Sequence, residues 1–593
     1  MRSDDFMRGI PYDEQAMQQH MRALALREDV TGLRALRGTT QCVRDLHRAA
    51  RALQVGEDER SDELHWILSN ARVLEALFGA QARPTRLRLP ATQDGVRVQT
   101  MMDELVAHSD ALVTPERLAQ AICAYDEVRA LRMDELWSAP CALSLALEET
   151  YCRVGQAVLE REEARRAAEA WAEDSQRMPA RRDGAFCERA LQLLHEREEP
   201  ARREALEKLL LGESIEELVR VEREKCALSL LLMNNLLSTM RMLEGLDWAE
   251  RFEQVSRVEQ ALLDDPSGTY PRMDKASRAQ VRAQVVRLSR ANGLKERTVA
   301  EQAVQRAQAG EGVRREVSWW LYTNEGLEAM SRGLRLRKTL RLYPDPSGAK
   351  RIGAILTCCA LEIALFGALK LPWWAVFAWA ACAWAIAEEL VNRAAARLVK
   401  PKPLLRLALK EAGKEYRTLV VMPALLSGEA RAEALADELE TLGVNQPDGH
   451  IDFLLLGDLP DAKEESLPGD EAILSAAKRG IARANGRAGR EKYYFLCRAR
   501  EYQPRDHKYM AHERKRGALG ALLSYLRLGE NAFLEPPRFD RAYPFVLTLD
   551  AGGQMLPEDM LRLIATMAHP INRARVEDGE PSGYAVLAPR AQT

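Results

Sequence analysis

From residue 13 to about 340, apolar residues recur at i, i+3, i+4 and i+7 in a background rich in Ala, Leu, Glu and Arg, with hardly any β-branched runs. That period predicts a large all-helical region, placed at residues 1–345. TPERLAQAICAYDEV carries a helix-start signal: Thr114 is set to cap, and Pro115 takes the first helical position, where its missing N–H costs nothing. The segment 159–178, LEREEARRAAEAWAEDSQRM, is so charged that a solvated, projecting helix is expected. No repeat of fixed period is visible, which favours an irregular bundle over a solenoid.

The pattern changes at residue 352, where residues 352–369 and 371–387 form two apolar runs split around Lys370, Leu371 and Pro372. At 1.5 Å per residue each reaches about 25–27 Å, close to the roughly 30 Å of a hydrocarbon core. A transmembrane helical hairpin is therefore expected across 346–400, with spans near 352–369 and 371–390. Arg335, Arg337, Lys338, Arg341, Lys350 and Arg351 precede it, and Arg393, Arg397, Lys400, Lys402 and Arg406 follow it. The excess of cations on both flanks puts the N- and C-termini in the cytoplasm, with Trp373 and Trp374 at the far interface. A buried hairpin of a soluble protein is the competing reading. Glu362 is its main support, since a carboxylate at the bilayer centre is costly; in a spanning hairpin it must face another helix or carry a proton.

After residue 400 strand signals appear for the first time: RTLVVMPAL (417–425), HIDFLLLGD (450–458), KYYFLCRAR (492–500) and YPFVLTLD (543–550). Helical patterns lie between them at 428–443 and 470–486. Strands alternating with helices predict an α/β sheet of mainly parallel strands in a domain spanning 401–593. The chain is thus read as multidomain: a large all-α region, a membrane hairpin and an α/β domain.

Composition narrows the function classes. The 593 residues exceed what one core holds. A net charge of −3 gives no basic field for nucleic acid. The ten cysteines are scattered without CxxC spacing, which argues against a cysteine zinc site or a disulfide framework and for a reducing compartment. No cleavable signal stretch opens the sequence, so a cytoplasmic start is expected. Walker A, GxGxxG, GxSxG and HExxH motifs are all missing from the sequence.

Asp458 and Asp550 each end a strand, and parallel sheets bind ligands beyond the carboxyl ends of their strands. Such residues suit a divalent metal, a nucleoside hydroxyl, or the cap of a following helix. Arg514, Lys515 and Arg516 gather before Gly517 and a helix. The cluster suits a diphosphate, or is simply a solvated basic turn.

The residues resemble the N-terminal portion of the cyclic β-1,2-glucan synthases, glycosyltransferase family 84. The likeness runs nearly the whole chain: DELHWILSN (62–70), residues 101–149, LDWAERFEQVSRVEQALLDDPSGTYPRMDKASR (246–278), AEELVNRAAARLVKPKPLLRL (387–407), RTLVVMPALL, the ERKRG turn, FVLTLDA and TMAHPINR (566–573). It implies an inner (plasma) membrane enzyme of several passes that transfers glucose from UDP-glucose, with inversion, to a growing β-1,2-glucan acceptor. It also implies a GT-A-like fold for the α/β domain. By position, Asp458 would contact the nucleotide, Lys515 and Arg516 would lie near the diphosphate, and Asp550 would be the first metal-site carboxylate, for Mg²⁺ or Mn²⁺. The family has a second carboxylate where this chain has Gly552, so weakened metal binding is expected. The sequence stops at GYAVLAPRAQT, and the family's acceptor-side base and further membrane helices would come later. The resemblance therefore implies a partial transferase domain whose catalytic base lies past residue 593, supplied in the family by more chain or here by a separate one. A second class is a non-catalytic, membrane-anchored interaction protein with a relic transferase domain, for which Gly552 and the expected lack of the family's C-terminal half are the evidence.

Overall fold

The computed structural model describes residues 10–589 apart from 28, 37–40, 54–55, 57–59, 82–86, 174–182, 198–205, 207–213, 335–347, 369–371, 399–402, 447, 537–538, 540–541 and 578. The chain forms two compact units, Met1–Gln260 and Ala261–Thr593.

Among the described residues, the first unit is a helical bundle with a two-stranded ribbon pairing residues 32–35 and 88–91. The expected start at Thr114 is present: its side chain accepts from the Arg117 N–H over Pro115–Val128. The charged stretch from 159 does not project. It is the end of a 41-residue helix, α1 (Met133–Glu173), with Ala164, Ala168 and Trp171 in an apolar core. Arg161 is buried there against Glu63, Glu222 and the Ser229 hydroxyl, so partner charges from other helices made burial possible. Residues 174–178 of that stretch lie outside the described residues. Cys42 and Cys152 meet as a disulfide, a long-range pairing that spacing does not reveal.

By length and composition, one unbroken helix among the described residues can cross a membrane, α2 (Ile215–Gly245), 44% of whose apolar window is buried inside the protein, and the bent pair Trp373–Trp379 and Cys382–Arg397 can do so when taken as one span. Asn235 and Thr239 on α2 hold the carbonyls of Asp110 and Ala111, which marks it as part of the first unit's core. The two apolar runs after 350 are helices α3 (Gly348–Ala368) and α4 (Trp373–Leu398), and α4 bends by 46° between Trp379 and Cys382. Arg351 and Glu388 bridge the pair at 3.0 Å. Of the basic flank, Arg335, Arg337, Lys338, Arg341, Lys400 and Lys402 lie outside the described residues, as do Lys370 and Leu371 at the break. Both Glu362 carboxylate oxygens are buried without a hydrogen-bond partner among the described residues.

The expected strands are present as β1 (Thr418–Leu425), β2 (Ile451–Asp458), β3 (Tyr493–Cys497) and β4 (Phe545–Thr548). All pair in parallel, in the order β3-β2-β1-β4. Strand β2 is buried at every residue, as a central parallel strand must be. Alternate residues serve opposite faces. Val420, Met422, Phe453 and Leu455 pack under α5 (Glu429–Val444), α6 (Asp470–Ala488) and α8 (Pro557–Ala568). Leu419, Val421, Leu454 and Leu456 pack on α7 (Arg514–Leu528) and on Phe533, Phe539 and Tyr543.

Candidate donor-site edge of the parallel sheet

The chain winds from β1 through β2 to β3 on one side, and β4 then joins the other side of β1. The strand order reverses between β1 and β4, which is where such sheets open a crevice at their carboxyl ends. Asp550 lies two residues past Thr548, at that edge, and Asp458 closes β2 on the far side of β1.

The two aspartates have different surroundings. Asp458 is 5% exposed, and both its oxygens are engaged by Arg498: Nε–Oδ1 2.8 Å and Nη2–Oδ2 2.7 Å. The fork of Arg498 also donates to the carbonyls of His512 and Arg514, at 3.1 and 3.0 Å. Those carbonyls belong to the turn that enters at His512 and runs through ERKRG, where Glu513 and Arg514 take φ of 56° and 47°. Two successive non-glycine residues in the left-handed region are strained, and the buried Arg498 holds them there. Gly517 completes the turn by necessity: a Cβ would sit 2.1 Å from the His512 oxygen and 2.7 Å from Arg498 Nη1.

The cation cluster does not precede helix α7 but forms its first turn. Cations there face the positive end of the helix dipole, an unfavourable placement that anions must offset. Each has one: Arg514 pairs with Asp461 at 2.7 Å, Lys515 with Asp550 Oδ1 at 2.6 Å, and Arg516 with Glu513 at 3.4 Å. Lys515 and Asp550 are both exposed, at 57% and 73% of their side chains. The structure thus brings Asp550 and Lys515 together, puts Arg516 one residue on at the surface, and sets Asp458 beneath the turn that carries the two cations.

After Asp550 the chain reverses, with the Gly553 N–H donating to the Asp550 carbonyl at 2.8 Å. Gly552 is the third residue of this turn and has φ 85°, the conformation a type II turn requires there. Its N–H donates to Glu438 on α5, a carboxylate that the sequence pattern did not single out. Arg498 is hidden in the same way, because KYYFLCRAR reads as strand to its end. The signal was the charged tail after an apolar strand. Neither Asp458 nor Asp550 caps a helix: α6 is preceded by Gly469 and α8 by Leu556.

No protein-family model matches the sequence. The chain is similar to the cyclic beta-(1,2)-glucan synthase NdvB of Rhizobium meliloti (strain 1021), with 26% identity over 586 residues, covering 88% of this chain and 20% of that relative. The chain spans about one fifth of the length of the curated relative it matches. This similarity along most of the chain supports the resemblance to the cyclic β-1,2-glucan synthases that its residues carry.

Proposed function

We propose that the edge between β1 and β4 binds the nucleotide diphosphate of UDP-glucose, as the donor half-site of a glucosyltransferase of the cyclic β-1,2-glucan synthase type. The observation that carries the reading is the convergence of Asp550 and Lys515, 35 residues apart, at the switch point and beside a helix N-terminus that holds three cations. A diphosphate there gains from the Lys515 and Arg516 N–H groups in the first turn of α7 as well as from charge. Lys515 would leave Asp550 for the diphosphate, and Arg516, the most exposed of the three cations, would close on it from solvent. Asp458 would act from below, through Arg498, by fixing the strained turn that aims these groups.

The donor set also bears on the metal. Asp550 offers one carboxylate, Gly552 none, and no trio of metal-binding side chains includes Asp550 among the described residues. Mg²⁺ is commonly held by one or two carboxylates plus substrate phosphates and water, so these residues fit a cation that arrives with the diphosphate. Such an ion, Mg²⁺ or Mn²⁺, would neutralise charge on the departing UDP.

The same proposal places α3 and α4 in the lipid of the plasma membrane, as a two-pass hairpin with both ends cytoplasmic. Leu361, Leu365, Trp373 and Phe377 are exposed apolar side chains of the hairpin, the kind of surface water disfavours. The acceptor would be a growing β-glucan.

Calorimetry on the detergent-solubilised protein tests the donor reading. UDP with Mg²⁺ should bind, and Asp550→Ala should remove the metal-dependent part. Absence of UDP binding at millimolar concentration would sink the proposal.

A further inference from the structure

We propose a zinc site in the helical unit, formed by His20, Glu104 and His108, distinct from any cation at Asp550. One ligand atom from each of the three lies within 4.8 Å of the others. Glu104 is on the helix Arg97–Ala107 and His108 caps its end, so the i, i+4 spacing stacks the two side chains on one face. His20 comes from the helix Glu14–Arg27. Its Nε2 is 2.9 Å from Glu104 Oε2, and His108 Nε2 is 3.5 Å from the same oxygen. Ligands at zinc distances on a tetrahedron are about 3.3 Å apart, which these two separations bracket.

The second imidazole nitrogen of His108 gives an independent argument. Nδ1 lies 2.9 Å from the Ile10 carbonyl, which can only accept, so Nδ1 carries the proton. This leaves Nε2 as the ring nitrogen turned toward the Glu104 carboxylate, 3.5 Å away, and as the atom His108 can offer to a metal. An Nδ1–H held by a backbone carbonyl is also the outer arrangement that orients metal-binding histidines and fixes their tautomer. Tyr12 stacks flat on the His108 ring, with centroids 4.1 Å apart, and its N–H donates to the His108 carbonyl. The ring is thereby locked before any metal arrives.

Two imidazoles and a carboxylate form the donor set of a zinc ion that keeps a fourth position for water. His20 and Glu104 are partly exposed, so solvent reaches that position. A hard oxygen-seeking cation such as Mg²⁺ or Ca²⁺ would not select two nitrogens. Bound zinc would clasp the segment around Ile10 and Tyr12 and the helix Glu14–Arg27 to the helix Arg97–Ala107.

The test uses the full chain, stripped of metal and titrated with Zn²⁺ alone against a chromophoric chelator, and with Co²⁺ as a spectroscopic substitute. One Zn²⁺ per chain should bind, and Co²⁺ should give the visible spectrum of a low-coordinate, nitrogen-ligated ion. His20→Ala and Glu104→Gln should each weaken zinc binding by more than the roughly 10–100-fold that loss of an outer partner costs. Wild-type binding no tighter than that of either variant, or a Co²⁺ spectrum of the hydrated ion, would overturn the site. If a variant folds poorly, protection of His20 from diethyl pyrocarbonate by Zn²⁺ in the wild-type chain reads the same question, and lack of protection counts against the proposal.

Discussion

The strands on either side of β1 each lead into an aspartate, and the sheet treats the two residues in opposite ways. Asp458 is sealed under a turn with a guanidinium filling both its oxygens. Asp550 stands in solvent with one ammonium on one oxygen. Both pairs bear on the same ERKRG turn, one from below through its carbonyls and one from the side through Lys515. The difference is one of exchangeability. A buried bidentate pair has no competing water and fixes the backbone, whereas an exposed pair is worth little and yields readily to a better ligand. The edge combines a rigid platform with a group that is free to change partners.

The sharpest way to break this comparison is to remove Arg498. Arg498→Ala leaves the Asp458 carboxylate buried without its partner and releases the carbonyls that hold Glu513 and Arg514 in the left-handed region. Breaking such a pair typically costs about 3–5 kcal/mol, and denaturant unfolding should report a loss of that size. Asp550→Ala should stay within about 0.5 kcal/mol of the parent chain, as surface changes do. Equal losses in the two variants would erase the distinction. Gly517→Ala should behave like the first class, since the added methyl collides with the His512 carbonyl.

Ligand binding should reverse the ranking. Lys515→Ala and Asp550→Ala should each weaken UDP binding by about tenfold or more, given the 1.5–3 kcal/mol of a charge-assisted contact. Calorimetry in low salt is the check, and the affinity should fall as salt screens these exposed charges. Chelation of Mg²⁺ should cost affinity in the wild type and little in Asp550→Ala.

The sequence made the strands legible because each apolar run is short, bounded and β-rich, and it made Asp550 legible because a strand end in a parallel sheet faces the ligand edge. What it could not convey was pairing at a distance. Arg498 and Asp458 are 40 residues apart, and nothing in CRAR says that its first arginine turns inward. For the same reason the charged end of α1 looked solvated: the partners of Arg161 come from Glu63 and Glu222, far along the chain. His20 and Glu104 do not read as partners in the sequence because they are 84 residues apart, although Glu104 and His108 have helical spacing.

A third acid, this one buried, extends the comparison to pH. Glu316 lies 3.3 Å from His569, with 2% and 0% of their side chains exposed. Burial pushes the Glu316 carboxyl up to about 8 and the His569 imidazole down to about 3. The signs oppose each other. Between 4.5 and 8 the folded chain holds a Glu316 proton that the unfolded chain has lost, so stability falls as pH rises through that window. Between 6.5 and 3 the unfolded chain gains a His569 proton that the folded chain refuses, so stability falls as pH drops. The pair's contributions offset one another between 4.5 and 6.5, and the melting temperature should be highest there. Glu316→Gln should flatten the profile above 6.5 and, with the offset gone, let stability keep rising from 4.5 to 6.5, whereas Arg498→Ala should lower the whole profile. An alkaline slope unchanged by Glu316→Gln would place the titrating group elsewhere.

The smallest expected effect concerns the residue that separates this edge from a two-carboxylate metal site. At Gly552 a Cβ meets only Glu438, 3.9 Å away, so space is available, but φ of 85° strains any L residue by roughly 1–2 kcal/mol. Aspartate tolerates that region better than most, so Gly552→Asp should fold with a loss at the lower end of the range. The new carboxylate would join Asp550 and Glu438, and their mutual repulsion is relieved only when a cation arrives. Mg²⁺ should therefore stabilise Gly552→Asp more than the parent chain, and UDP binding should become more metal-dependent, read by thermal unfolding and calorimetry with and without chelator. If Mg²⁺ leaves the variant as unaffected as the parent, Asp550 is not positioned for a shared cation. The exposed half of the comparison would then rest on Lys515 and the other first-turn cations of α7 alone.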